Sequence, residues 1–143
     1  MECKPFKAEV SGSDKRYSFC VPPKGESRRV AVYEGAVDAL AHLTLEGSSD
    51  KYRLSLGGVY APKEGEAERN FRTPPALTAF LSRHPEVEEL ELCLDNDFAG
   101  RWAAEHMWSC HLKPQTIYWT ALRTPSFFMR SNQQTKAPFK SSC

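Results

Sequence analysis

Asp95 and Asp97 flank a single asparagine in "LCLDNDFAGRWAAE". Residues two apart in an extended segment face the same way, about 6–7 Å apart along the chain. Both carboxylates can therefore reach one spot while Asn96 faces away. Glu34, about sixty residues upstream, ends another apolar run, "RVAVYEG". Three carboxylates brought to one point repel one another unless a cation intervenes. An oxygen-rich cluster of this kind suits Mg²⁺, which keeps several waters and shares its shell with substrate phosphates. The same acids have local uses. Asp97 before "FAGRWAAEH" fits a helix N-cap, Asp95 fits a turn, and Asp38 fits a solvated helix position.

For the three acids to meet, the chain must bring two strand ends together. "RVAVYEG" reads as a buried strand and "AVDALAHLTLEG" as a helix, with Val37, Leu40, Ala41 and Thr44 on one stripe and Gly47 as its stop. "YRLSLGG" is a second strand, closed by Gly57 and Gly58. "APKEGEAERNFR" is a polar loop. "TPPALTAFLSRHP" is a helix opened by prolines, with Thr73 as its N-cap and Leu77, Phe80 and Leu81 facing inward. "VEELELCL" is a third strand, and "FAGRWAAEHMWSC" a third helix with Ala99, Trp102, Ala103, His106, Met107 and Cys110 on one face. Strand and helix alternate three times, which predicts an α/β fold: a compact three-layer sandwich whose mostly parallel sheet of about four strands is flanked by helices. Ligands in such sheets bind beyond the carboxyl ends of the strands. One strand departs from the pattern: Leu90, Leu92 and Leu94 alternate with Glu89, Glu91 and Cys93. A parallel strand covered on both faces reads as continuously apolar, so this segment is expected to lie partly at an edge or beyond the helices.

The predicted organisation is an N-terminal β-hairpin and loop over 1–28, an α/β core over 29–110, and a basic tail over 111–143. In the hairpin "FKAEV" and "RYSFCV" flank the turn "SGSD". The tail holds one possible strand, "TIYWTAL". All 18 acids lie between Glu2 and Glu105, whereas residues 111–143 carry five Lys or Arg and no acid. Such a stretch can grip nucleic acid through its charge and through Tyr118, Trp119, Phe127 and Phe128, or be plainly solvated.

The chain has 143 residues, 41% hydrophobic and 26% charged, ordinary for one soluble domain. No apolar run approaches the roughly 20 residues that cross a bilayer, and "MECKPFKAEV" has no apolar signal core. The expectation is a cytoplasmic protein with no membrane partner. Five cysteines without C-x-x-C spacing point to reduced thiols, not to a disulfide framework or zinc knuckle. No G-x-G-x-x-G or P-loop is present.

"YEGAVDALA" followed by "LDNDFAGRWAA" resembles the Toprim domain of bacterial primases, topoisomerases, OLD-family nucleases and recombination-repair proteins. Glu34, Gly35 and Asp38 match its first motif. Asp95, Asp97, Ala99, Gly100, Ala103 and Ala104 match its second. The "LSLGGV" strand end and the "GSDKRYSF" hairpin resemble Toprim-like proteins of bacterial mobile elements. The resemblance covers roughly residues 10–110.

It implies Mg²⁺-dependent (or Mn²⁺-dependent) phosphoryl transfer or phosphodiester hydrolysis on DNA or RNA, as in a primase-like nucleotidyltransferase or a nuclease. Glu34, with Asp38, would do general acid–base work. Glu34, Asp95 and Asp97 would hold the metal. Gly35, Gly57, Gly58 and Gly100 would permit close backbone approach. Lys15 and Arg16, in the "SDKR" turn, are candidate phosphate contacts, or simply solvated charges. The resemblance also implies a piece of a larger DNA-processing protein, with an upstream DNA-binding or zinc-binding region or a replication or mobilisation partner. The acid-free tail departs from the family, whose fourth strand is often followed by another acid. A catalytically inactive nucleic-acid-binding or scaffold module is the competing expectation.

Overall fold

A computed structural model describes residues 10–62 and 71–109, together with the backbone of Thr116–Trp119. The chain forms β1 (Cys20–Val21), β2 (Arg29–Tyr33), α1 (Ala36–Glu46), β3 (Tyr52–Ser55), α2 (Pro75–Arg83), β4 (Glu89–Cys93), α3 (Phe98–Ser109) and β5 (Thr116–Trp119). The five strands make one mixed sheet in the order β1-β3-β2-β4-β5. β1 runs antiparallel to β3, and the other neighbours are parallel.

β2 lies at the centre, and Val30, Ala31, Val32 and Tyr33 are wholly buried. Side chains alternate between the two faces of a strand, and the core divides accordingly. Val30, Val32, Leu54, Leu90 and Leu92 pack with Leu77 and Phe80 of α2 and Ala103 and Met107 of α3. Ala31, Tyr33 and Cys93, on the opposite face, pack with Ala39 of α1. Helices thus contact both faces of the sheet.

Helix ends follow the sequence signals in part. Gly47 ends α1 in the left-handed region at φ 65°, and its N–H donates to Leu43 C=O. Pro75 opens α2, but the N-cap is Pro74 and not Thr73, and no side chain caps the helix. The apolar stripe of α1 does not face inward: Val37 is 77% and Leu40 46% exposed, whereas Ala39 is buried. The reason is chemical. α1 covers a buried ionic patch and presents His42 and Glu46 to it, so its inner face is partly polar.

That patch explains the alternating strand. β4 is not at an edge; β2 and β5 flank it. Glu91 is buried and pairs with Lys51 Nζ at 2.8 Å, and Lys51 also reaches Glu46 at 2.9 Å. Arg53, fully buried on β3, pairs with Glu46 and donates to Ser48 C=O. Tyr33 Oη and His42 Nδ1 are 2.6 Å apart. Burying a charge is tolerated only when it is paired, and each acid here has a cation beside it.

The hairpin is corrected in part. β1 pairs with β3, not with the segment before it; residues 5–9 lie outside the described residues. The turn is present, with Ser13 N–H bonded to Val10 C=O and Tyr17 N–H to Asp14 C=O. The possible strand of the tail forms over Thr116–Trp119 beside β4, while 120–143 lie outside the described residues. Among the described residues, no helix is long and apolar enough to cross a membrane.

Candidate active site

Glu34 follows β2 directly, and Asp95 follows β4 with Leu94 between them. The parallel register places Tyr33 opposite Cys93, so both strands end at the same level. α1 leaves β2 on one face of the sheet and leads to β3. α2 returns on the other face and leads to β4. The order therefore reverses between β2 and β4, and their carboxyl ends open the crevice in which open α/β sheets bind ligands.

Glu34 is fixed through its backbone and its side chain. Its C=O accepts the Gly58 N–H at 2.8 Å, next to a Tyr33 C=O that accepts the Leu56 N–H at 2.8 Å. Its side-chain Oε1 accepts the Asp95 N–H at 3.2 Å. Gly57 and Gly58 make the reversal after β3 in the left-handed region, at φ 69° and 102°, where a side chain would strain the backbone. Gly100 serves a different end. A Cβ there would lie 2.0 Å from the Asp95 carbonyl oxygen and 2.9 Å from Glu34 Oε1. Only glycine lets α3 press against the β4 turn and hold Asp95 beside Glu34.

Asp97 and Asp38 take the capping roles open to them in the sequence. Asp97 Oδ1 accepts the Gly100 N–H at 2.8 Å, capping α3. Asp38 Oδ2 accepts the Gly35 N–H at 3.1 Å, which is half of a capping box. Each uses one oxygen locally. The Asp95 carboxylate accepts no hydrogen bond among the described residues, and no Lys or Arg there pairs with any of the four acids.

The four acids feel one another. Burial, then the Asp95 charge, pushes the Glu34 carboxyl above its ordinary range, against the pull of the Asp95 N–H; Asp97 and Asp38 push the same way. Asp95 is raised by burial and then by Asp38 and Asp97. Such a cluster can hold a proton on Glu34 or attract a hard cation. Among the described residues, no three His, Cys, Asp or Glu side chains stand in the arrangement of a metal cage. The four acids are all carboxylates, the donor type that hard cations take.

Lys15 and Arg16 part company. Arg16 grips Asp14, Nη2 to Oδ2 at 2.7 Å, in an exposed local pair. Lys15 lines a cavity of about 890 Å³ whose wall includes Gly57 and Gly58. The sequence pattern did not reveal that cavity, nor Tyr60, Phe71 and Arg72 in its wall. Two aromatics bracketing a polar loop were the available signal. The ionic patch under α1 was equally hidden, except for the alternation of Glu89 and Glu91. Of the described cysteines, Cys20 and Cys93 are free thiols.

Neither a protein-family model nor a curated protein sequence matches this chain.

Proposed function

We propose that this chain is a Toprim-like, three-layer domain that carries out Mg²⁺-dependent phosphoryl transfer or phosphodiester hydrolysis on nucleic acid, in the manner of a primase-like nucleotidyltransferase. One observation carries the reading: Glu34 and Asp95, from two distant motifs, are joined by a hydrogen bond at the crevice of the sheet, with Asp97 and Asp38 electrostatically coupled to them.

Bound Mg²⁺ would neutralise charge building on the phosphoryl oxygens. Asp95 and Asp97, with Glu34, would hold it. Glu34, with its affinity for a proton raised, would take a proton from an attacking hydroxyl or water or return one to a leaving oxygen. Matching a carboxyl to proton transfer near neutral pH needs such a shift. Asp38 keeps the proton affinity of the set high and fixes the first turn of α1. The nucleic acid, and an upstream domain or replication partner that would present it, belong to the same reading.

Calorimetric titration of Mn²⁺ or Mg²⁺ into the wild type and an Asp95→Ala, Asp97→Ala double variant tests it. The wild type binds and the variant loses at least about tenfold in affinity. Equal binding by the two proteins defeats the proposal.

A further inference from the structure

The cavity of about 890 Å³ lined by Gly57, Gly58 and the start of α2 is large enough for a nucleotide, within the range of about 300–1,000 Å³ usual for small-molecule sites. It is joined to the acids through the backbone. Gly58, in its wall, donates to the Glu34 carbonyl at 2.8 Å. Ala103, also in its wall, lies one turn beyond Gly100 on α3. Space is open at Gly57 and Gly58, where an added Cβ would meet nothing within 4 Å.

Its lining has two chemistries. Tyr60, half exposed, and Phe71 supply aromatic rings. Both rest edge-on against the Trp102 ring, at 6.1 and 5.7 Å between centroids. Trp102 is itself stacked on His106 at 3.8 Å, so the rings stand on a braced support. Among the described residues, Trp102 Nε1 is buried without a hydrogen-bond partner. The second chemistry is cationic. Arg72 and Lys15 line the cavity, and α2 begins there, with Pro74 and Pro75 in the wall and no side-chain cap on the helix.

Aromatic rings at one wall and positive charge at another are what a base and its phosphates require. We infer that this cavity binds a nucleotide, its base against Tyr60 and Phe71 and its phosphates at Arg72 and the start of α2, so that the phosphoryl end faces the Glu34–Asp95 crevice. The inference rests on the proposed nucleic-acid chemistry of that crevice and adds where the substrate nucleotide sits. The nucleotide could be a free nucleoside triphosphate or the end of a strand; base and phosphate are common to both.

The test is calorimetric binding of ATP and of a ten-residue oligothymidylate, first in EDTA and then in Mg²⁺. Tyr60→Ala and Arg72→Ala change exposed side chains, and a thermal melt confirms that each folds. In EDTA each variant binds the preferred probe about tenfold more weakly than the wild type, whereas Glu88→Gln, an exposed change just before the amino end of β4, binds unchanged. ATP binding without oligothymidylate binding assigns the site to free nucleotide, and the reverse assigns it to a strand end. Equal affinity of Tyr60→Ala and the wild type, with inorganic tripolyphosphate displacing ATP fully, reveals an anion site without a base and overturns the inference. So does failure of both probes to bind. If Mg²⁺ changes nothing while Tyr60→Ala and Arg72→Ala still weaken binding, the metal reading fails and the nucleotide site stands.

Discussion

Glu34 Oε1 accepts the backbone N–H of Asp95 at 3.2 Å, across the boundary between two parallel strands. The bond ties the two motifs together at the one point of the sheet where strand order reverses. It also leaves Glu34 under competing demands: the N–H favours its charged form, while burial and three neighbouring acids favour its neutral form.

Removing that conflict should stabilise the metal-free chain. Glu34→Gln keeps an acceptor for the Asp95 N–H and deletes one charge. A carboxyl raised on folding stabilises the fold fully below its unfolded pKa, and this contribution is lost as pH rises through the folded value. The variant therefore melts higher than the wild type at pH 7, by roughly 2–4 °C for an effect of about 1 kcal/mol at most after solvent screening. At pH 4 the difference disappears. Thermal melts at the two pH values check it; a variant that melts lower at pH 7 contradicts the coupling.

Divalent metal should act in the same direction. A ligand that binds only the folded chain adds about 2.7 kcal/mol at a hundred times its Kd. Mg²⁺ or Mn²⁺ at that excess should raise the wild-type melting temperature by several degrees and leave Asp95→Asn nearly unmoved. The same shift in both proteins would place the ion elsewhere.

Gly100→Ala probes the packing that makes the site. Its Cβ would lie 2.0 Å from the Asp95 carbonyl, a backbone atom that cannot turn aside. Overpacking of this kind costs about 1–3 kcal/mol, and chemical denaturation should show a loss near the upper end. Gly35→Ala should cost less, because its close neighbour at 2.9 Å is the movable Asp38 carboxylate.

The patch beneath α1 should behave as a linked set. Lys51→Met leaves Glu91 buried beside a lost partner, at a cost of about 3–5 kcal/mol. The double variant Lys51→Met, Glu91→Leu should recover most of that loss. A double variant as unstable as the single one would show that Glu91 is not held by Lys51. Urea denaturation of the three proteins reads the difference.

The strand–helix alternation was legible in the residues because each element carries its own period and stop: the apolar run of Val30–Tyr33, Gly47 after α1, the prolines before α2. Those signals are local, and local physics decided them. The two motifs at the strand ends were legible for the same reason. Where local signals were read as global facts they failed. Leu40 and Val37 make an apolar stripe, yet they face outward. Glu91 marks a strand as exposed, yet it is buried in the middle of the sheet.

Residue types and their order alone thus marked the strands and helices between residues 29 and 109, and which acids stand at strand ends. Only the tertiary structure decided which strand lies beside which, and hence that Glu34 and Asp95 meet, that Lys51 and Arg53 balance the buried acids under α1, and that Tyr60, Phe71 and Arg72 surround one cavity. The physical reason is range. Backbone preference acts over a few residues, whereas burying a charge or joining two strand ends depends on partners that chain folding brings from 40 to 61 positions away.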